Sequence, residues 1–120
     1  MKPRTAGQIV NATIDKTLLG FEGHGIFTSF IYVDYGDGGH QGFGDYVLGG
    51  EFGCEYLKKV LEVAGVESWE DLVGQNIRVK YGDEPAGWGN RIAAIGHITR
   101  DIWLDPKKLG EKYAPKDKKE

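Results

Sequence analysis

Apolar and polar positions alternate along the first third of the chain. In "GQIVNATIDKTLLGF" (7–21) Val10, Ala12 and Ile14 share one side, the two-residue period of a half-buried strand. "EGHG" (22–25) then reads as a turn. "IFTSFIYVDY" (26–35) sets Phe27, Ser29, Ile31 and Val33 against Ile26, Thr28, Phe30 and Tyr32, with β-forming residues on both sides, which makes it the strongest strand signal in the chain. After the turn "GDGG", "HQGFGDYVL" (40–48) continues the alternation, so residues 8–48 are expected to form an antiparallel meander. The period changes in "GGEFGCEYLKKVLEVAGV" (49–66). Phe52, Tyr56, Leu57, Val60, Leu61 and Ala64 fall at helical spacing, and Glu55, Lys58, Lys59 and Glu62 take the other side. Gly65 is placed to stop that helix.

"ESWEDLVG" (67–74) predicts a short second helix, with Ser68 at its N-cap and Gly74 at its end. "QNIRVKY" and "RIAAIGHI" read as two further strands around the loop "GDEPAGWGN". "DIWLDPKKLGEKY" closes the unit with an apolar anchor at Trp103 and Leu104, then a helical turn opened by Asp105 and Pro106. The resulting order, β-β-β-α-β-β, predicts an α+β fold: a single small antiparallel sheet or an OB-like partly open barrel. Residues 1–7 read as an N-terminal tail, 8–106 as one α+β domain, and 107–120 as a basic C-terminal tail.

At 120 residues the chain can bury one core without a disulfide or metal. The single cysteine, Cys54, excludes an internal disulfide and any Cys-rich zinc site. No apolar run approaches the roughly 20 residues that span a bilayer, so no membrane association and a cytoplasmic location are expected. The net charge of −3 hides an asymmetry: residues 5–105 hold fifteen Asp or Glu against seven Lys or Arg, whereas 106–120 hold six Lys against three acids. An acidic body disfavours nonspecific duplex binding, which depends on neutralising phosphates. The basic end is read as a solvated terminus.

Candidate chemistry concentrates in "DYGDGGHQGFGDY" (34–46). On a strand Gly42 and Gly44 share one side and Gln41, Phe43 and Asp45 the other, leaving a bare strip for the helix, a tryptophan ring or a ligand. His24, Asp34, Asp37, His40, Asp45 and His97 offer metal ligands by type, but in no recognisable spacing. A Cys54 nucleophile would need His40 or His97 as base. In "YGDEPAGWGNR" Trp88, Asn90 and Arg91 place a stacking ring beside hydrogen-bonding and cationic groups, a set that suits a nucleotide. There is no Walker loop, and "GDGGHQGFG" does not open a helix.

The segments "LLGFEGHGIFT", "DYGDGGHQGFGDYVL", "VLEVAGVESWEDLVGQNIRVK" and "IAAIGHITRDIWLDP" together resemble a family of small proteins carried by phages and prophages, over roughly residues 12–106. Glu22, His24, Asp34, Tyr35, Gln41, Phe43, Trp69, Arg78, Gly96, His97, Asp101 and Trp103 are among the positions that carry the resemblance. The chain departs from it in the short "GGE" before the helix and the long "GDEPAGWGN" hairpin. The resemblance implies a phage setting and, by analogy, a host-takeover or anti-defence role.

The expectation is therefore a non-enzymatic binding protein that occupies a host protein or sequesters a nucleotide-type ligand, with no cofactor and no catalytic residue. Its contact residues are expected to be Glu22, His24, Tyr35, His40, Gln41, Phe43, Trp88, Asn90 and Arg91. An OB-like single-strand binder is the alternative, and a small metal-dependent hydrolase a third. Self-association is also expected if Ile9, Ile14 or Ile26 lies on a sheet edge.

Overall fold

The computed structural model describes residues 5–44, 48–85 and 90–114, and side chains for all of these except 83–85 and 90. The alternating segments become strands β1 (Ile9–Phe21), β2 (Phe27–Asp34), β3 (His40–Gly44), β4 (Asn76–Pro85) and β5 (Asn90–His97). The expected apolar anchor is itself a short strand, β6 (Trp103–Leu104), so the sheet has six strands. Helix α1 (Gly50–Ala64) follows β3, and α2 (Pro106–Tyr113) ends the described chain. The fold is α+β, an open antiparallel sheet ordered β3-β2-β1-β4-β5-β6.

β1 is long enough to serve two neighbours. Its first half pairs with β4 from Ile9↔Lys80 to Thr13↔Asn76, and its second half with β2 from Thr13↔Asp34 to Phe21↔Phe27. A bulge between Ile14 and Lys16 divides the halves and sharpens the local twist. The twist curls the sheet until β3 and β5 touch, with no ladder between them among the described residues. This is the strand order of an OB barrel, helix after the third strand included, left open at one seam. β1 lies between β2 and β4 and Ile14 is buried, so the expectation of an edge exposing Ile14 is corrected; Ile9 and Ile26 are exposed.

The core fills the concave side. Ile14, Ile31, Val33, Phe43, Ile77, Val79 and Ile95 point in from the sheet, and Tyr56, Val60 and Val63 of α1 close over them. Alternation turns Phe43 inward beside Ile31, its partner on β2, where its ring stacks on Tyr56 (6.4 Å between centroids, 8° between planes). Gly65 ends α1 in the left-handed conformation (φ 74°) that glycine adopts without penalty. The expected second helix is only a 3₁₀ turn, Trp69–Asp71. Ser68 Oγ donates to the Asp71 carboxylate (3.1 Å) instead of capping a backbone amide, and the Trp69 indole N–H donates to Thr17 Oγ1 (3.1 Å). Residues 107–113, read from sequence as tail, are helical and dock on α1.

Candidate ligand trough on the convex face

On the convex side β4 and β5 present small and cationic residues. Arg78 and Lys80 of β4 lie opposite Gly96 and Ala94 of β5, and Gly96 lies opposite Trp103 of β6. The Trp103 indole lies flat on Gly96: a Cβ there would meet ring carbons at 2.6–2.7 Å. The Arg78 guanidinium covers the same ring, 4.9 Å from its centroid. Arg78 is itself fixed by donating from Nε to His97 O (2.7 Å) and from Nη2 to Arg100 O (2.8 Å). His97 Nδ1 accepts from the amides of Thr99 (3.1 Å) and Arg100 (3.0 Å), which holds the turn that carries Arg100.

Helix α2 forms the opposite wall. Asp105 caps it, one carboxylate oxygen accepting from the amides of Lys107 (3.1 Å) and Lys108 (3.2 Å), with Pro106 in the first turn. At its far end the Lys112 ammonium (2.9 Å) and the Tyr113 hydroxyl both bond Glu55 of α1. The Tyr113 hydrogen bond, then that of Lys112, holds the Glu55 carboxyl below its usual range. Glu55 in turn raises the Lys112 and Tyr113 values.

Between these walls runs a trough of about 520 Å³, lined by Trp103, Lys59, Lys80, Lys108, Asp101 and Asp105, with Ile9, Ala94, Leu104 and Leu109 as apolar surface. A second groove of about 470 Å³ shares Lys80, Ala94 and Asp105 with it and adds Arg91 and Lys107. Asp105 is engaged in capping α2 and Lys59 pairs with Glu62 (3.2 Å). The combined surface thus gathers five cations against two carboxylates, on a chain whose body is acidic. Chemically it offers a half-buried indole beside amines that can meet an anion.

The sequence-expected contact residues do not form one site. Glu22 and His24 sit in the β1–β2 turn, where the Glu22 carboxylate accepts from the His24 amide and lies 3.4 Å from its Nδ1. Tyr35 donates its hydroxyl to Gln41 Oε1 (2.6 Å), both half-buried. His40 is exposed at the sheet edge, 3.6 Å from Asp34 and 4.0 Å from Asp15. Phe43 is corrected from contact residue to core residue, at 3% exposure. Trp88 and the side chain of Asn90 lie outside the described residues. Arg91 is exposed, and joins Gln41, Phe43 and Phe30 around a groove of about 290 Å³ at the β3–β5 seam.

Tyr32 of the neighbouring strand stands beside Gly42, its ring 3.4 Å from where a Cβ would lie, but Gly42 stays exposed, and a Cβ at Gly44 would meet the backbone of Ser29 and Phe30. Asp34 and Asp37 accept from the amides of Gly36 (2.8 Å) and Gly39 (2.9 Å) in their turn. Among the described residues no three His, Cys, Asp or Glu side chains are placed to hold a metal ion. Cys54 is exposed on α1 in a shallow depression whose lining includes Glu51, Glu55 and Lys58 and no histidine. Among the described residues no helix is long and apolar enough to cross a membrane.

The sequence does not mark Trp103, Lys80 and Lys108 as lining one surface. Each was legible only singly, Trp103 as an anchor and Lys108 as tail charge. No protein-family model matches the chain, and no curated protein matches it.

Proposed function

We propose that the protein is a non-enzymatic binding protein that sequesters a nucleotide-type ligand, one with a planar base and at least one phosphate, in the trough floored by Trp103. The observation that carries this reading is the indole of Trp103, laid over Gly96 and ringed by Lys80 and Lys108 in a concavity large enough for a mononucleotide. Charge-assisted hydrogen bonds from lysine to phosphate contribute about 1.5–3 kcal/mol each. The base would lie against the indole edge, since Gly96 and the Arg78 guanidinium occupy the ring faces. A role in host takeover or defence evasion, as the phage resemblance implies, is the biological setting we propose for such sequestration. A host protein as partner is the competing reading.

Thermal unfolding of the purified protein with nucleosides, mononucleotides and cyclic nucleotides tests this. A ligand at 100 times its Kd adds about 2.7 kcal/mol, several degrees for a domain of this size. The reading expects a shift with phosphorylated ligands, little with bare nucleosides, and loss of the difference in Lys80→Ala/Lys108→Ala. Equal shifts for nucleoside and nucleotide, or none at all, would overturn it.

A further inference from the structure

The trough does not end at Lys80. It shares Lys80, Ala94 and Asp105 with the second groove, and the second groove shares Arg91 and Ile92 with the groove at the β3–β5 seam. The three grooves adjoin one another through these shared residues. The path along them starts at Trp103, passes Lys108, Lys80 and Lys107 to Arg91, and reaches Phe30. From Gly96, under the indole, to Arg91 the path follows β5 for about 16 Å at roughly 3.3 Å per residue, and it then crosses the seam.

The far end also offers a ring surface. Phe30 and Tyr32 stack side by side (5.7 Å between centroids, 17° between planes), both half-buried on the outer face of β2. Lys16 stands over Tyr32, 5.4 Å from its centroid. Opposite them Gly42 and Gly44 carry no side chain that would cover the rings from β3. One step farther along β2 the surface turns acidic, with Asp34 and Asp15 flanking His40, and this bounds the path.

Resting on the nucleotide reading above, we infer that the ligand is a single-stranded oligonucleotide, laid from Trp103 to Phe30 with its phosphates along Lys108, Lys107, Lys80 and Arg91. An indole edge at one end, a stacked ring pair at the other and a line of cations between them fit linked nucleotides better than one, because each base has an apolar surface to lie against and each linkage a charge to meet. The segregation of charge answers the objection from net acidity. The acids at Asp15, Asp34 and Asp37 lie beyond the path; within it Asp105 is engaged in capping α2, and Asp101 is one carboxylate against the cations of the path. The length of the path suits the lower end of the roughly 4–16 nucleotides that an OB fold covers.

Fluorescence anisotropy of end-labelled dT8 and U8 against the full chain, at several salt concentrations, with thymidine and uridine monophosphate as competitors, tests the inference. Four phosphate contacts give a slope of log K against log salt of about −3 for a single strand. The expected result is an octamer bound at least tenfold more tightly than its mononucleotide, with that slope. Arg91→Ala should flatten the slope by about 0.7 and weaken the octamer more than the mononucleotide. Whether dT8 or U8 binds better assigns the sugar preference, and either order supports the path. Mononucleotides that bind as tightly as octamers, or an Arg91→Ala slope equal to the parent's, would overturn the path and leave the trough reading standing. Failure of both octamers and mononucleotides would overturn both.

Discussion

Gly96→Ala is the sharpest perturbation of the trough floor. A methyl at Gly96 would lie 2.6 Å from Cδ2 and Cε3 of Trp103, whereas carbon atoms settle at about 3.5–4.0 Å. The indole must therefore retreat by about 1 Å or swing away, and either movement separates it from the Arg78 guanidinium now 4.9 Å from its centroid. Overpacking of this kind costs about 1–3 kcal/mol, and a loosened cation–π contact adds about 0.5–1 kcal/mol. A total near 2 kcal/mol lowers Tm by roughly 8 °C for a chain of this length. Denaturant unfolding of Gly96→Ala, Trp103→Ala and the double variant measures it as a cycle. With the ring already absent that clash is gone, so Gly96→Ala should cost much less in the Trp103→Ala background than in the parent. A Gly96→Ala cost below about 0.5 kcal/mol, or the same cost in both backgrounds, would refute the packing of Trp103 on β5 and with it the floor of the trough.

Gly44→Ala should destabilise by about 2–4 kcal/mol, because Gly44 has φ 152° and a Cβ there would stand 2.1 Å from Ser29 O. Gly42→Ala, which meets only Tyr32 at 3.4 Å, should cost less than about 1 kcal/mol in the same urea titration. His97→Ala removes the acceptor of the Thr99 and Arg100 amides, so both should exchange with deuterium faster, at a stability cost of about 1 kcal/mol. Glu55 is held below its usual range in the folded chain, so the attachment of α2 is present above the ordinary carboxylate range and is lost as pH falls through the folded value. Lys112 and Tyr113 are raised, so their share is full below their ordinary values and is lost only as alkaline pH passes the raised ones. Amide exchange of α2 followed against pH should show that plateau, and Glu55→Gln should abolish its acid edge.

The strands and α1 were legible because each buries one side against the core, so period 2 in β1 and β2 and period 3.6 in α1 are written into the chain. β6 was not, since two residues carry no period and Trp103–Leu104 is fixed by pairing with Ile95 and Gly96. The length of α2 was hidden for a related reason. Its docking depends on Glu55, far away in sequence, bonding Lys112 and Tyr113, and in the sequence those residues read as solvated charge. Phe43 reads as a contact residue in the sequence because Gly42 and Gly44 mark a bare strip without saying which side is concave. The ring pairing with that strip, Tyr32, was visible as a strand residue, but its register against Gly42 was not. The trough was the least legible feature, because it assembles β4, β5, β6 and α2, and charge segregation in space leaves no mark on a net charge of −3.

The measurement that bears most directly on the ligand site is an amide and indole NMR titration of the isotopically labelled protein with thymidine monophosphate. Binding in the trough predicts shifts concentrated at the Trp103 indole N–H and at the amides of Lys80, Ala94 and Lys108, growing to saturation. Saturating shifts confined to the Glu22–Ile26 turn or to the Tyr35–Gln41 region, with the Trp103 indole unmoved, would contradict it.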